Sequence, residues 1–407
     1  MVAVTPDVGD AAVTVREFDG DRDLAADVER LESACEVGPS GKKMCLFTDL
    51  LGDPLCRIRH SPAYLMLVAE AAGAGIVGVV RGCVKTVSCG QGQGQGPNNL
   101  VFAKVGYLLG LRVSPAHRRR GVARRLVERM EAWFRRAGAE YAYVATDAGN
   151  EPSVRLFTQR CGYAKFRAPS LLVHPVFRHD LAPSSSSRRR KARVVELSPR
   201  DAELLYRARF PGVEFFPRDI DAVLSNPLSL GTFLAIPAGS PPWQDIEAFL
   251  ASPPASWAVA SVWKSKDAFR LEVRGAPWLW RAAASATRAA DAAAPWLRIP
   301  SVPDLFAPFG VLLVYGLGGG DGPDTPAMAR AVCRHAHDMA RRAGARVVAA
   351  EVAAGDPVRA GVPHWPRLGA EDLWCIKRLA EGYGDGALGD WTKAPPGASI
   401  FVDPREF

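Results

Sequence analysis

From Val13 to Val173 the hydrophobic pattern switches repeatedly between the two-residue period of a strand and the 3.6-residue period of a helix. Val13 to Phe18 reads as a strand, and Asp19, Gly20 and Asp21 turn the chain into a helix with Leu24, Val28 and Leu31 on one face. After a loop at Gly38 to Lys43, strands are expected at Tyr64 to Ala69 and Gly75 to Thr86, joined by a small-residue hairpin from Ala71 to Gly75. A longer strand runs from Val101 to Val113. Pro115 and a basic loop then lead into a helix with Val122, Leu126, Met130, Trp133 and Ala137 on its apolar side. Tyr141 to Thr146 is the next strand, Pro152 to Arg160 a short helix stopped at Gly162, and Ser170 to Val173 a last strand. The order predicts a mixed α/β fold of the α+β type.

The second half repeats this plan. Arg135-Arg136-Ala137-Gly138-Ala139 ends one helix and Arg341-Arg342-Ala343-Gly344-Ala345 another, an offset of 206 residues (135 to 341). The same offset carries Val122, Leu126, Met130 and Trp133 onto Met328, Val332, Ala336 and Met339 without a gap. Glu17-Phe18 with Arg22-Asp23 resembles Glu196-Leu197 with Arg200-Asp201, and Ser170 to Pro175 resembles Ser399 to Pro404. Three matches in one order point to a tandem duplication. The Ala-rich, Trp-bearing stretch from Ala276 to Leu297 is then an insert of the second copy.

One composition break divides the copies. Pro183 is followed by Ser184 to Ser187 and then Arg188, Arg189, Arg190, Lys191 and Arg193, a polar and basic run without apolar periodicity. The domains are expected at 1–180 and 194–407, with 181–193 as a linker whose basic run also fits a nuclear-import signal. A second flexible segment is expected at Gly90 to Gly96. The glycine run from Gly316 to Gly322 is read as a flexible connection, because no Lys-Ser/Thr follows to make it a phosphate loop.

The 407 residues are 48% hydrophobic and 23% charged, ordinary for globular domains with cores of their own. No apolar run approaches the ~20 residues of a membrane span, and Met1 to Asp10 carries no secretory pattern, so a soluble intracellular protein is expected, with no membrane partner. The 8 cysteines are scattered without a C-x-x-C pair and read as reduced thiols. His335 and His337 fall in a helical pattern, where i and i+2 face apart, so no metal site is expected. Lys+Arg 51 against Asp+Glu 43 gives +8, which an anionic cofactor, a polyanionic partner or a basic surface would each explain.

The chemistry concentrates in Leu111-Arg112-Val113-Ser114-Pro115-Ala116-His117-Arg118-Arg119-Arg120-Gly121-Val122-Ala123. A strand ends, a basic loop follows, and a helix begins with small residues at Gly121 and Ala123, where a backbone can be closely approached. Free amides at a helix N-terminus suit a pyrophosphate, and Arg118, Arg119, Arg120 and Arg124 add positive charge.

Arg118-x-x-Gly121-x-Ala123 after a strand resembles the acetyl-CoA motif of the GCN5-related N-acetyltransferase (GNAT) superfamily. Asn150, Leu156-Phe157 and Cys161-Gly162-Tyr163 match the family's later motif. More narrowly, Cys35 to Gly41, Leu46 to Pro54 and Glu214 to Asp221 are similar to the plant HOOKLESS-type N-acetyltransferases, a likeness that spans both halves. The resemblance implies tandem acetyltransferase-like domains, each a mostly antiparallel, splayed sheet flanked by helices. It implies acetyl-CoA in the splay, with backbone of Leu111, Arg112 and Val113 on the acetyl-pantetheine arm, amides from Arg118 to Arg124 (Val122 included) on the pyrophosphate, and Asn150 and Phe157 along the arm. It also implies a role in hormone-linked plant growth and a nuclear or cytoplasmic setting.

This chain departs from the family pattern in its acid–base groups. No Asp or Glu occurs between Asn98 and Val113, and Phe157 stands where the family carries a tyrosine. Asp49, Asp53, Glu70 and Asp147 are the carboxylates left as candidates, and no catalytic residue is assigned. In the second copy Asp324 and Ala327 replace Arg118 and Gly121, which implies a degenerate domain. Three readings stay open: an acetyl-CoA-dependent N-acetyltransferase acting on an amine such as a protein lysine, a regulatory protein that keeps the cofactor but little catalysis, and a nucleic-acid-binding module. The third is the least favoured, since only the linker is densely basic.

Overall fold

A computed structural model describes residues 13–38, 44–90, 100–181, 192–380 and 389–407. Most of the Gly38–Lys43 and Gly90–Gly96 loops and the basic run as far as Lys191 lie outside the described residues. The first half runs β1 (Val13–Glu17), α1 (Ala25–Ser33), β2 (Cys45–Asp49), β3 (Ala63–Ala71), β4 (Gly75–Ser88), β5 (Phe102–Val113), α2 (Val122–Arg136), β6 (Tyr141–Asp147), α3 (Glu151–Arg155), β7 (Ala164–Arg167) and β8 (Ser170–Pro175). The second runs β9 (Ala192–Leu197), α4 (Pro199–Arg209), α5 (Ile220–Leu224), β10 (Ser229–Pro237), α6 (Ile246–Ala251), β11 (Ala258–Lys264), β12 (Arg270–Arg274), α7 (Trp278–Ala293), β13 (Val311–Gly319), α8 (Thr325–Ala343), β14 (Val347–Val352) and β15 (Ala370–Arg378). The mixed α/β class expected from the periodicity is the class observed.

Thirteen strands form one sheet in the order β1-β3-β4-β5-β6-β15-β8-β14-β13-β11-β10-β9, with β7 also on β15. Among the described strand pairs, β5–β6 and β13–β14 are the parallel ones. The crossover in each is the long amphipathic helix, α2 or α8, as a parallel pair requires. α2 buries Val122, Leu126 and Met130 against β3, β4 and β5, and α8 buries Met328, Val332 and Ala336 against β10, β11 and β13. Trp133 and Met339, related by the same offset, are both only partly buried.

The offset reappears in the hydrogen-bonding register. Val105 pairs with Tyr141, and Val311 with Val347. Glu140 N donates to Lys104 O at 2.7 Å, and Arg346 N to Gly310 O at 2.9 Å. β5 and β13 each carry a bulge, at Gly110 (φ 60°) and Gly316 (φ 59°). Two copies of one strand–helix–strand unit therefore lie in a single sheet.

Each half also completes its sheet with a strand from the other. β15, near the far end of the chain, inserts between β6 and β8, while β8 pairs with β14. Strand β12 pairs with β2 in a second, two-stranded sheet that again joins the halves. These pairings leave no edge at the join for another chain to add to.

Four local expectations change. Leu24 is 66% exposed, because it is the extended cap before α1 and lies outside the helical face; the buried residues of that helix are Val28, Leu31 and Glu32. The helix foreseen at Pro152–Arg160 is α3 followed by a single π turn, Leu156–Arg160, and β2 and β7 were not foreseen. The Gly316–Gly322 run is close-packed instead of flexible. A Cβ at Gly318 would lie 2.2 Å from Phe210, and one at Gly319 2.3 Å from the Trp257 carbonyl.

Candidate functional site

Beyond Leu108 and Val144 the β5–β6 ladder stops, although β5 continues to Val113 and β6 to Asp147. The bulge at Gly110 turns β5 away from its neighbour, so the strands splay and a V-shaped gap opens between them. One face of the gap carries α2. There Leu108, Val122, Val144 and Phe157 share a core with Leu111 and Val113 at its edge. The structure thus brings the predicted Leu111, Val113, Val122 and Phe157 together.

At the top of that face the chain enters α2 through two left-handed residues, Arg119 (φ 63°) and Gly121 (φ 77°). Gly121 is the N-cap, and a Cβ there would meet nothing within 4 Å. The glycine is needed for its backbone angle and leaves an open approach. The amides of Arg119 to Arg124 make no hydrogen bond to a protein acceptor among the described residues, and Arg118, Arg119, Arg120 and Arg124 are exposed around them. Arg124 pairs with Glu128 at 2.7 Å, and Arg118 Nε donates to Val113 O at 3.3 Å. Unmet amides, the positive end of a 15-residue helix and the exposed guanidiniums together suit a phosphate group. The residues present fit a coenzyme pyrophosphate.

Across the gap Asn150 caps α3, its Oδ1 accepting from Ser153 N at 3.4 Å. Phe157 is buried in the π turn, edge-on to Tyr163 with centroids 5.3 Å apart. Tyr163 offers no replacement for the missing tyrosine at Phe157. Its ring lies 5.6 Å from Lys377 Nζ, and burial together with Glu131 pushes its hydroxyl well above its ordinary range.

The opposite face of the gap is built from charges that periodicity could not reveal. Glu32 of α1 is buried and accepts from Arg81 Nη1 at 2.7 Å and Arg112 Nε at 3.1 Å. Burial alone would raise its carboxyl; the two guanidiniums outweigh this and hold it below the usual carboxylate range. A Cβ at Gly110 would come 2.7 Å from Arg81 Nη1, so the bulge that opens the gap also admits this arginine. Arg112, predicted on the cofactor arm, sends its side chain to this face and donates to Leu111 O at 3.1 Å.

On the far lip Asp147 stands opposite Asp372 of β15 in the strand register. Burial, with Asp147 and Glu371 adding to it, pushes the Asp372 carboxyl up to about 6. Glu351 of β14 accepts from Trp374 Nε1 at 2.9 Å, and burial with Asp372 pushes it well above its ordinary range. Gly38, in the loop after α1, reaches toward this lip: a Cβ there would lie 3.7 Å from Asp147 Oδ2. The other candidate carboxylates are tied down. Glu70 pairs with Arg16 at 2.9 Å and Arg22 at 3.2 Å, Asp53 pairs with Arg59, and Asp49 accepts from Leu51 N. Asp372 and Glu351 lie some 200 residues from the motif, and no local signal in the sequence marks them.

The equivalent corner of the second half is closed. The turn Pro357–Gly361 packs on the start of α8, where a Cβ at Gly361 would lie 2.2 Å from Pro326 O. The backbone N–H of Asp324, at the position equivalent to Arg118, donates to Ser256 Oγ at 3.1 Å. Among the described residues no group of three or more His, Cys, Asp or Glu could hold a metal, and no helix is long and apolar enough to cross a membrane. His335 packs on Phe233, and His337 Nε2 accepts from Phe177 N.

A strand pair splayed at a bulge, with a helix N-terminus over the opening, defines an acyl-coenzyme-A transferase fold, and residues 29–163 match the Acetyltransferase (GNAT) family. The chain belongs to that family and is an N-acetyltransferase by kind. It is 56% identical to the "Probable N-acetyltransferase HLS1" of Arabidopsis thaliana, covering 97% of this chain and 99% of that one. It is 44% identical to the "Acetyl transferase GW6a" of Oryza sativa subsp. japonica, covering 97% of each. N-myristoyltransferase of Saccharomyces cerevisiae, solved with bound myristoyl-CoA, shares the fold at a TM-score of 0.52 and 9% identity, over 93% of this chain and 81% of that one.

Proposed function

We propose that the chain uses acetyl-CoA to acetylate a primary amine, with a protein lysine as the acceptor. The observation that carries this reading is the splay between β5 and β6, with open helix amides on one face and the Asp147 and Asp372 carboxylates on its far lip. In this reading the 1–180 domain binds the cofactor. Leu111, Arg112 and Val113 hold the pantetheine arm through backbone, Arg118 to Arg124 hold the pyrophosphate, and Asn150 and Phe157 line the arm. The 194–407 domain supplies β15 and does not bind cofactor, because Asp324 and the Pro357–Gly361 turn fill the equivalent corner.

Acetyl-CoA supplies the activated acetyl group. A lysine amine at neutral pH is protonated, and removing that proton costs about 4.6 kcal/mol. Asp372 is suited to accept it, since a carboxyl near 6 is ionised at pH 7 yet more basic than an ordinary aspartate. As the amine nitrogen bonds to the acetyl carbon, the carbon–sulfur bond breaks and the thiolate leaves; the surplus proton on that nitrogen passes to the thiolate through solvent, giving a neutral amide and coenzyme A. A thiol with a pKa near ~8.5 leaves without an obligatory acid, so Phe157 is tolerated. The same Phe157 favours a second reading, a cofactor-binding regulator with slow turnover. From the HOOKLESS-type resemblance we read the biological setting as hormone-linked growth control in the nucleus or cytoplasm.

The test is thermal unfolding with acetyl-CoA at about 1 mM, followed by transfer assays on lysine peptides. Binding raises the melting temperature through selective stabilisation of the native state, by about 2.7 kcal/mol at a hundredfold excess over Kd. Gly121→Asp should remove both the shift and the transfer while circular dichroism stays unchanged. No shift in the unaltered protein would sink the cofactor assignment. A shift without transfer would favour the regulator.

A further inference from the structure

A cleft of about 430 Å³ lies between α7, the carboxyl end of α8 and the segment after β8. That volume falls within the range of small-molecule sites. Four guanidinium-bearing residues line it, Arg178, Arg288, Arg341 and Arg346, against one carboxylate, Asp304. α7 turns Ser285, Ala289 and Ala292 toward the cleft, and these small side chains leave the space open.

The arginines divide into two kinds. Arg288 is steadied by the Val302 carbonyl at 3.3 Å, and Arg341 by the Arg178 carbonyl and Asp180, both at 2.7 Å. The side chains of Arg178 and Arg346 meet no hydrogen-bond or ion-pair partner among the described residues. Asp180 meets the charge of Arg341, which leaves Arg178, Arg288 and Arg346 around an opening whose one lining carboxylate is Asp304, a net positive cleft that favours an anion. The cleft floor is rigid, because Asp291 of α7 accepts from Arg178 N at 2.8 Å and Ser301 Oγ at 2.8 Å and pairs with His179 Nδ1 at 2.7 Å.

At the offset of 206 the place of Arg346 is taken by Glu140, and among the described residues of the first half no helix corresponds to α7. The cleft also lies at the amino end of β14, whereas the β5–β6 splay opens at the carboxyl ends of its strands in the other half. We propose that this cleft is a binding site for a small, multiply phosphorylated anion, held by bidentate guanidinium–phosphate contacts and separate from the acyl-transfer site.

Calorimetric titration of the full chain with inorganic tripolyphosphate at physiological salt tests this, with coenzyme A present in excess so that the Arg118–Arg124 loop is occupied. One saturable site is expected, weakened at least tenfold in Arg346→Glu and in Ala292→Trp, which fills the cleft without changing charge. Acetyl-CoA binding in both variants should match the unaltered protein, which shows that they fold. No saturable binding in the presence of coenzyme A would overturn the proposal, as would undiminished binding in both variants. Vesicles containing a phosphoinositide bisphosphate identify the source: retention that tripolyphosphate displaces assigns a lipid headgroup, and binding of tripolyphosphate without retention assigns a soluble ligand.

Discussion

Lys85 of β4 and Asp403 of the final segment, 318 residues apart, form a buried ion pair at 3.0 Å. Asp403 also receives Arg405, which reaches Asp219 at 2.7 Å, and Glu406 accepts from Lys85 and from the Tyr143 hydroxyl. The segment 401–406 is buried throughout, so it ties β4 and β6 of the first half to Asp219 of the second.

Asp403→Ala leaves Lys85 and Arg405 short of a counter-charge in a buried place, and removing one partner of such a pair costs about 3–5 kcal/mol. Urea unfolding should show a lowered midpoint, and adding Lys85→Met should recover part of the loss. A change below about 1 kcal/mol would show that the segment is not integral to the fold.

If Asp372 accepts the amine proton, transfer has a pH profile. Asp372 must be ionised to accept a proton, and its folded-state carboxyl sits at about 6, above the ordinary aspartate range. Transfer should therefore fall as pH drops through about 6. Asp372→Asn should lower kcat/KM by about 10²–10⁴ and abolish that acid limb with little change in acetyl-CoA binding. An unaltered limb in the variant would remove Asp372 from the proton path.

Gly110 and Gly316 occupy equivalent bulges with unequal consequences. Alanine at either position must adopt a left-handed angle at a cost of about 1–2 kcal/mol, and its Cβ meets Arg81 Nη1 at 2.7 Å or the Tyr206 hydroxyl at 2.6 Å. Both variants should melt earlier. Only Gly110→Ala should also slow transfer, since it displaces the Arg81–Glu32–Arg112 group beside the splay. Equal activity losses in the two would contradict a cofactor splay that lies at the β5–β6 pair and not at β13–β14.

Histidine burial predicts acid lability. Burial, with His337 nearby, lowers His174 to about 4, whereas an unfolded histidine titrates near ~6.5. The unfolded chain then takes up the proton first, so this stability is present above pH ~6.5 and lost as pH falls toward about 4, by up to about 3 kcal/mol. His337 is shifted in the same direction. Denaturant titrations between pH 7 and 4 should show the decline, and His174→Phe should flatten it.

Much of this molecule was legible in its sequence because the relevant signals are local. The 3.6-residue period located α2 and α8, the 206-residue offset recurs in the register of β5–β6 and β13–β14, and the Arg118–Arg124 loop sits at a helix N-terminus as its glycine and arginines predicted. Each of those features depends on residues close in the chain. The exchange of β8 and β15 does not, because strand pairing is chosen by long-range hydrogen bonding and burial that periodicity leaves open. For the same reason, tertiary structure alone decided which charged groups surround the gap. Glu32, Asp372 and Glu351 lie in separate elements, and only the folded sheet desolvates them and sets the neighbours that move their carboxyls in opposite directions.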